Sequence, residues 1–339
     1  MNKEGLIKSI LKYSIDNRVA LSIACTKFGK HRKYVSDYIY LLNKNIKEPF
    51  QNSAEKEILS LYNNKKIGFS LGCYIENVKF IEKDTIKKDN LRNTPGTYFI
   101  TGCTHAPWHN KKMYDSVLKY LTEKVKLQGI ILAGDFLDLN SLSSHDRGKI
   151  PLKGVTLDWE YREANKLLDL FDELDIKGTK DYLFGNHCDR YNRLLSNSDE
   201  SKYGEALKSP EEGLRLLERG YCVYKDWKND SIKLGEHLEI CHGEFLNTHS
   251  AKKTIDTYRK SVLYFHTHRF QIYIEGLVGG FNMGFGGDIN APIFNYATKA
   301  MKNSWLNACC LVTLDKDGFY HVEPLFYINN RLIVNGKEY

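Results

Sequence analysis

The chain has 339 residues, 42% of them hydrophobic, and a formal net charge of +7, which is long enough for two domains and apolar enough for a well-buried core. It holds no apolar run of about eighteen residues, and its opening MNKEGLIKSI places charges where a signal peptide needs its hydrophobic stretch, so the expectation is an intracellular, cytoplasmic protein without a spanning helix. The eight cysteines, Cys25, Cys73, Cys103, Cys188, Cys222, Cys241, Cys309 and Cys310, show neither a disulfide-framework spacing nor paired CxxC clusters and are expected as reduced thiols.

The charge is unevenly placed. Residues 1–50 hold ten Lys/Arg against four acids, leaving about +6 there and a nearly neutral remainder. A small basic unit on a neutral body suggests a polyanion-binding appendage, although a solvated helical face has the same composition. Leu6, Ile7, Ile10, Leu11 and Tyr13 form one helical stripe over residues 4–14, and residues 18–26 make a second short helix. After the Phe28-Gly29 turn, a third runs over residues 30–42 with Val35, Ile39 and Leu42 inward and Lys30, His31, Arg32 and Lys33 crowding its first turn. Three short helices with a basic third one resemble helix-turn-helix or homeodomain-like units, in which the start of the last helix meets DNA. Protein-binding modules share the pattern. The boundaries expected are a basic module over 1–48, a connector with a short hairpin over 49–96, and a third region over 97–339.

From Gly96 the texture changes. Apolar runs at 97–103, 129–136 and 181–187 read as buried strands, separated by amphipathic helices at about 111–126 and 156–174. Further strand-like runs follow at 238–245 and 262–268, and Asp317-Gly318 marks a turn between two final strands. The fold class predicted is α/β, an α+β sandwich of two sheets flanked by helices, preceded by a small all-α module.

Ligand-type residues recur where each apolar run stops: Cys103-Thr104-His105, Gly134-Asp135-Phe136-Leu137-Asp138, Gly185-Asn186-His187, His242-Gly243 and His266-Thr267-His268. In an open α/β sheet the crevice lies beyond the carboxyl ends of the strands, so residues scattered in sequence can converge there. Paired divalent ions about 3.5 to 4 Å apart need mixed oxygen and nitrogen donors and one bridging carboxylate, for which Asp135 is the natural choice. Residues i and i+2 at a strand end point to one side, which pairs Cys103 with His105 and His266 with His268.

In this order the motifs resemble the D-x-H, G-D-x-x-D, G-N-H, H-G and G-H-x-H series of the calcineurin-like metallophosphoesterases, the phage-encoded and Mre11-like branches looking nearest. The resemblance covers roughly residues 97–270. It implies one metal held by Cys103, His105, Asp135 and His268, and a second by Asp135, Asn186, His242 and His266. It further implies His187 as the catalytic acid, with Asp138 orienting it and keeping it cationic. The implied reaction is in-line attack on phosphorus, the ions neutralising the developing charge and His187 assisting the leaving oxygen.

Two positions depart from the family. Cys103 stands for its first aspartate, and the softness of a thiolate favours Zn or Fe over Mn. Phe265 stands for the glycine before H-x-H, a change expected only in loop packing. Arg190 and Arg269 follow motif residues and are candidate clamps for a substrate phosphate; Arg190 is equally a salt-bridge partner for Asp138. His109, His145, His237, His249 and His321 read as ordinary satisfied polar groups, Cys188 as structural and Trp108 as core, with pocket lining the alternative for Trp108 and His109, which lie just past the first motif. The function expected is a two-metal phosphodiesterase or nuclease acting on DNA recruited by the basic module. Two alternatives remain: a nucleotide or protein phosphatase with a partner-binding N-terminus, and a DNA-binding protein with a degenerate metal domain. Oligomeric state is left open, with a homodimer allowed.

Overall fold

A computed structural model describes residues 90–143, 153–196 and 207–339. The expected helical module, its residues Lys30, His31, Arg32 and Lys33, and the connector up to residue 89 lie outside them. The described residues belong to one compact unit, Asn90–Tyr339.

In chain order the strands and helices are β1 (Leu91–Arg92), β2 (Gly96–Thr101), α1 (Lys111–Lys124), β3 (Leu127–Ala133), α2 (Leu157–Asp172), β4 (Ile176–Leu183), α3 (Asp189–Ser196) and α4 (Pro210–Gly213). Then come β5 (Tyr221–Tyr224), β6 (Ile232–Leu234), β7 (Leu238–Ile240), α5 (Ser250–Tyr258), β8 (Ser261–Tyr264), β9 (Phe270–Glu275) and β10 (Val278–Met283). The last are α6 (Lys299–Asn303), β11 (Ala308–Leu314), β12 (Tyr320–Ile328), β13 (Arg331–Val334) and β14 (Lys337–Glu338). They build two mixed sheets flanked by helices, one ordered β1-β6-β7-β8-β10-β9 and the other β14-β13-β12-β11-β2-β3-β4-β5. The α/β sandwich expected from the sequence is therefore the architecture observed.

Alternation along the central strands explains why they read as continuous apolar runs. Tyr98, Ile100, Ile131, Ala133 and Leu183 face the other sheet, meeting Ile240, Leu263 and Met283. Their neighbours Phe99, Ile130, Leu132 and Tyr182 face the opposite way, onto Met113, Val117 and Leu121 of α1 and Leu168 and Phe171 of α2. Both faces of β2, β3 and β4 are thus covered, and each such side chain contributes about 1.5 to 3 kcal/mol by leaving water. The helices start where the sequence supplies caps: the Asn110 side chain accepts from Met113 N at 3.1 Å and the Thr156 hydroxyl from Trp159 N at 3.3 Å.

One buried ion pair ties the sheets together. Arg92 of β1 grips Asp181 of β4 through Nε–Oδ2 at 3.0 Å and Nη2–Oδ1 at 2.6 Å, and Nη2 also donates to the Tyr224 hydroxyl at 2.7 Å. Strands β2, β3, β4 and β5 run parallel, as do β7 and β8. Their carboxyl ends, at Thr101, Ala133, Leu183, Ile240 and Tyr264, each lead into one of the ligand-bearing loops.

Candidate metal centre

The five loops bring Cys103, His105, Asp135, Asn186, His187, His242, His266 and His268 together. Backbone bonds fix the first two loops to one another: Cys103 N donates to Gly134 O at 3.0 Å and His105 N to Asp135 O at 2.9 Å. Glycine is required in two of the turns. A Cβ on Gly134, whose φ is +84°, would strike the His242 ring, and one on Gly185 would strike the Asp135 carboxylate. More unusual is that Cys103, His105, Asp135, His266 and His268 all take left-handed backbone conformations, with φ between 46° and 62°. Such residues cost of order 1 kcal/mol or more each and persist where the surroundings over-determine them, typically at functional sites.

Two donor sets result. In the first, His105 Nε2 and His268 Nε2 face each other at 3.0 Å, and the Cys103 Sγ lies within 4.8 Å of both. In the second, His242 Nε2 is surrounded by Asn186 Oδ1 at 2.9 Å, His266 Nδ1 at 3.1 Å and Asp135 Oδ2 at 3.1 Å. The tautomers follow from the remaining bonds. His105 gives its Nδ1 proton to Asp138 Oδ2 at 2.9 Å and His242 points Nδ1 at Ala133 O, 3.4 Å away, so both turn a bare Nε2 inward. Imidazole lone pairs meeting each other, an amide oxygen and a carboxylate leave more acceptors than protons. A cation resolves that arrangement, and these residues fit divalent ions of the N/O/S-binding class.

Electrostatics agree. Burial pushes the imidazolium forms of His105 and His268 down and takes His266 to about 3, with His242 adding to the last, so these rings stand neutral and ready to ligate. Burial alone would raise Asp135 and Asp138, but His187 and the other histidines hold both carboxyls below the usual range. Burial and the Asp135 charge push the Cys103 thiol well up. Its ionisation therefore needs a cation beside it.

His187 has a different environment. Its backbone N donates to Asp135 Oδ1 at 2.9 Å, and its Nδ1 lies 2.9 Å from the Asp138 carbonyl and 3.3 Å from the Asp138 carboxylate. Burial opposes its cation, yet Asp135 and Asp138 outweigh burial and raise its affinity for a proton. Arg190 joins the group, with Nη1 on the Asp138 carbonyl and carboxylate at 3.0 and 3.1 Å and Nη2 3.5 Å from His187 Nε2. Arg269 does not join through any of these bonds, and its Nε is buried without a hydrogen-bond partner. Phe265 is fully buried, its ring filling the space where a Cβ on Gly102 would sit.

Several contributors were not visible in the motif pattern. Phe294 stands edge-on to His105 at 5.3 Å, Phe285 stacks on His268 at 4.8 Å, and Trp305 meets His268 at 4.6 Å. The exposed Tyr296 lies next to Phe294 and Trp305. Behind the site, the buried Glu160 of α2 accepts from Asn140 N at 2.6 Å, Ser141 N at 3.0 Å and the Ser141 hydroxyl, pinning the short 3-10 turn that follows Asp138. His109, read from sequence as satisfied, has a buried Nδ1 with no partner.

No protein-family model matches the chain, and no curated protein matches it. Among solved structures it is similar to a single mutant of Vps29 from Entamoeba histolytica, at 10% identity and a TM-score of 0.38, over 72% of this chain and 99% of that one. It is also similar to a conserved uncharacterized protein from Streptococcus pneumoniae described as a predicted phosphoesterase, at 15% identity and a TM-score of 0.32, over 73% and 98% of the two chains. A third likeness is to a mutant cold-active protein tyrosine phosphatase, at 11% identity and a TM-score of 0.33, over 69% and 82%. Among the described residues no helix is long and apolar enough to cross a membrane.

Proposed function

We propose that the chain is a metal-dependent phosphoester hydrolase, and that its substrates are phosphodiesters of nucleic acid. The observation that carries the first part is the pair of imidazole contacts, His105–His268 at 3.0 Å and His242–His266 at 3.1 Å, with the Asp135 carboxylate 3.1 Å from His242 Nε2. Cys103, His105, Asp135 and His268 would hold one ion, and Asp135, Asn186, His242 and His266 the other. Divalent ions at such positions supply Lewis-acid charge to a phosphoryl oxygen and ease the deprotonation of water.

The chain's own groups supply the rest. His187, its Nδ1 turned to the Asp138 carbonyl, is the group that would give a proton from Nε2 to the departing oxygen. Arg190 braces that arrangement by binding both oxygens of Asp138 that face it. The buried Phe285 and Phe294 and the half-buried Trp305 around His105 and His268 limit water access and fix the imidazole planes. Support for nucleic acid comes from the ten Lys/Arg against four acids in residues 1–50, since phosphate contacts dominate non-specific affinity.

The test combines elemental analysis with turnover. About two Zn, Fe or Mn per chain, with bis-p-nitrophenyl phosphate preferred over p-nitrophenyl phosphate, is the expected result. Monoester preference would move the reading to a phosphatase, and fewer than one ion with no turnover would remove it. Deleting residues 1–50 should weaken DNA binding and flatten its salt dependence; unchanged binding would detach the basic module from the substrate.

A further inference from the structure

Beside the metal centre lies a second concavity that the reaction does not use. It has a volume of about 790 Å³, within the range of pockets that hold small molecules. Trp108 and Trp159 form part of its wall, their rings packed edge-to-face at 5.4 Å. Pro107, Asn290 and Tyr327 line it as well, together with Lys111 and Lys112 at the start of α1.

Three observations bear on its occupant. The cleft adjoins the first donor set on two sides: Trp108 N donates to the His105 carbonyl at 2.7 Å, and Leu306 N donates to the His268 carbonyl at 3.0 Å one residue before the lining Asn307. Only Ala106 and Pro107 separate His105 from Trp108, so the two lie at most about 10 Å of extended chain apart. Next, the lining offers polar edges, with Asn290, Asn329 and Asn330 among its residues; amide groups of this kind pair with the donors and acceptors of a heteroaromatic ring. Lastly, its formal charges balance, Lys111 and Lys112 against Glu163 and Asp288. An occupant held here is held by stacking and by edge contacts more than by net charge. Indole faces, amide edges and two lysines together match a nucleotide unit: a flat heteroaromatic ring carrying donors and acceptors, with a phosphate attached.

We propose that this cleft binds a nucleobase of a single-stranded nucleic-acid substrate, stacked on the Trp108–Trp159 wall, while the adjoining phosphate reaches the metal centre. The assignment rests on the phosphoester-hydrolase reading and names the substrate class for it. The test uses the full chain with a single-stranded oligodeoxynucleotide containing 5-iodouracil, irradiated in EDTA so that no turnover intervenes. The expected crosslink falls on the peptide carrying Trp108 or that carrying Trp159. Trp159→Ala lowers its yield at matched concentration by about tenfold, and Trp159→Phe retains most of it. With metal present, Trp159→Ala also lowers kcat/KM for the oligonucleotide about tenfold more than for bis-p-nitrophenyl phosphate. Crosslinks confined to residues outside the cleft, or equal losses on the two substrates, overturn the proposal. Should Trp159→Ala fail to fold, the wild-type crosslink position and the Trp159→Phe protein decide. A crosslink in the cleft without hydrolysis of any phosphoester would instead sink the hydrolase reading, so the two failures are distinguishable.

Discussion

The carboxylate of Asp138 lies 2.9 Å from Nδ1 of His105, closer than the 3.3 Å that separates it from Nδ1 of His187. It therefore orients a proposed metal ligand as well as the proposed acid. Asp138→Asn should lower affinity at the first donor set by about 10- to 100-fold while leaving the second set loaded. His187→Asn should retain both ions and lose about 10²- to 10⁴-fold in kcat. Metal titration followed by steady-state kinetics separates the two patterns; equal metal loss in both variants would contradict these roles.

Cys103 Sγ accepts the His266 backbone N–H at 3.1 Å, which points the sulfur toward the donor cluster. Replacing it with a hard oxygen donor should change which metal is preferred. Cys103→Asp is expected to gain activity with Mn relative to Zn, and Cys103→Ala to lose at least about tenfold in Zn affinity. Competition assays with a chromogenic chelator provide the check, and unchanged Zn affinity in Cys103→Ala would exclude the thiol as a ligand.

Burial, reinforced by the Asp138 charge, raises Glu160 from 4.5 to about 7 despite the three donors it accepts from. The folded protein thus binds this proton more tightly than the unfolded chain. Its contribution to stability is full below pH 4.5 and disappears as pH rises through about 7, a change of up to about 3 kcal/mol. Urea unfolding of wild type and Glu160→Gln across this window should show the wild-type advantage shrinking as pH rises. Parallel stability curves would count against the assignment.

Asp181 is fully buried and gripped at two oxygens by Arg92. Asp181→Ala strands the guanidinium and should cost about 3 to 5 kcal/mol, whereas Asp181→Leu combined with Arg92→Met should cost less than the single change. Chemical denaturation with all three proteins tests the ordering.

Much of the candidate donor cluster was legible because its residues terminate buried strands. Ile131 and Ala133 announce β3 by their apolar run, and Asp135 follows at the point where the sheet must open to a crevice. The Asp317-Gly318 turn was equally readable, with Asp315 Oδ1 accepting from both Asp317 N and Phe319 N at 2.9 Å. Phe285, Phe294 and Trp305 were not, because most of the segment carrying them has no periodicity and it reaches the histidines only through tertiary packing. Glu160 was hidden by its type, since a glutamate in the first turn of a helix reads as a solvated cap. Strand β1 is two residues long and lies in a polar stretch read as connector. What holds its Arg92 is an aspartate 89 positions away.

Five of the ligand-type residues, Cys103, His105, Asp135, His266 and His268, hold left-handed backbones. Glycine would relax each of those backbones while deleting a side chain that the proposed reaction uses and, at the buried Cys103, His105, Asp135 and His268, leaving a cavity. A library of this protein screened only for heat resistance should therefore admit glycine first at the half-buried His266, where the emptied space opens to solvent, and drift toward robust, inert variants. Screening on turnover should purge those same substitutions first, setting the two selections against one another at the same codons.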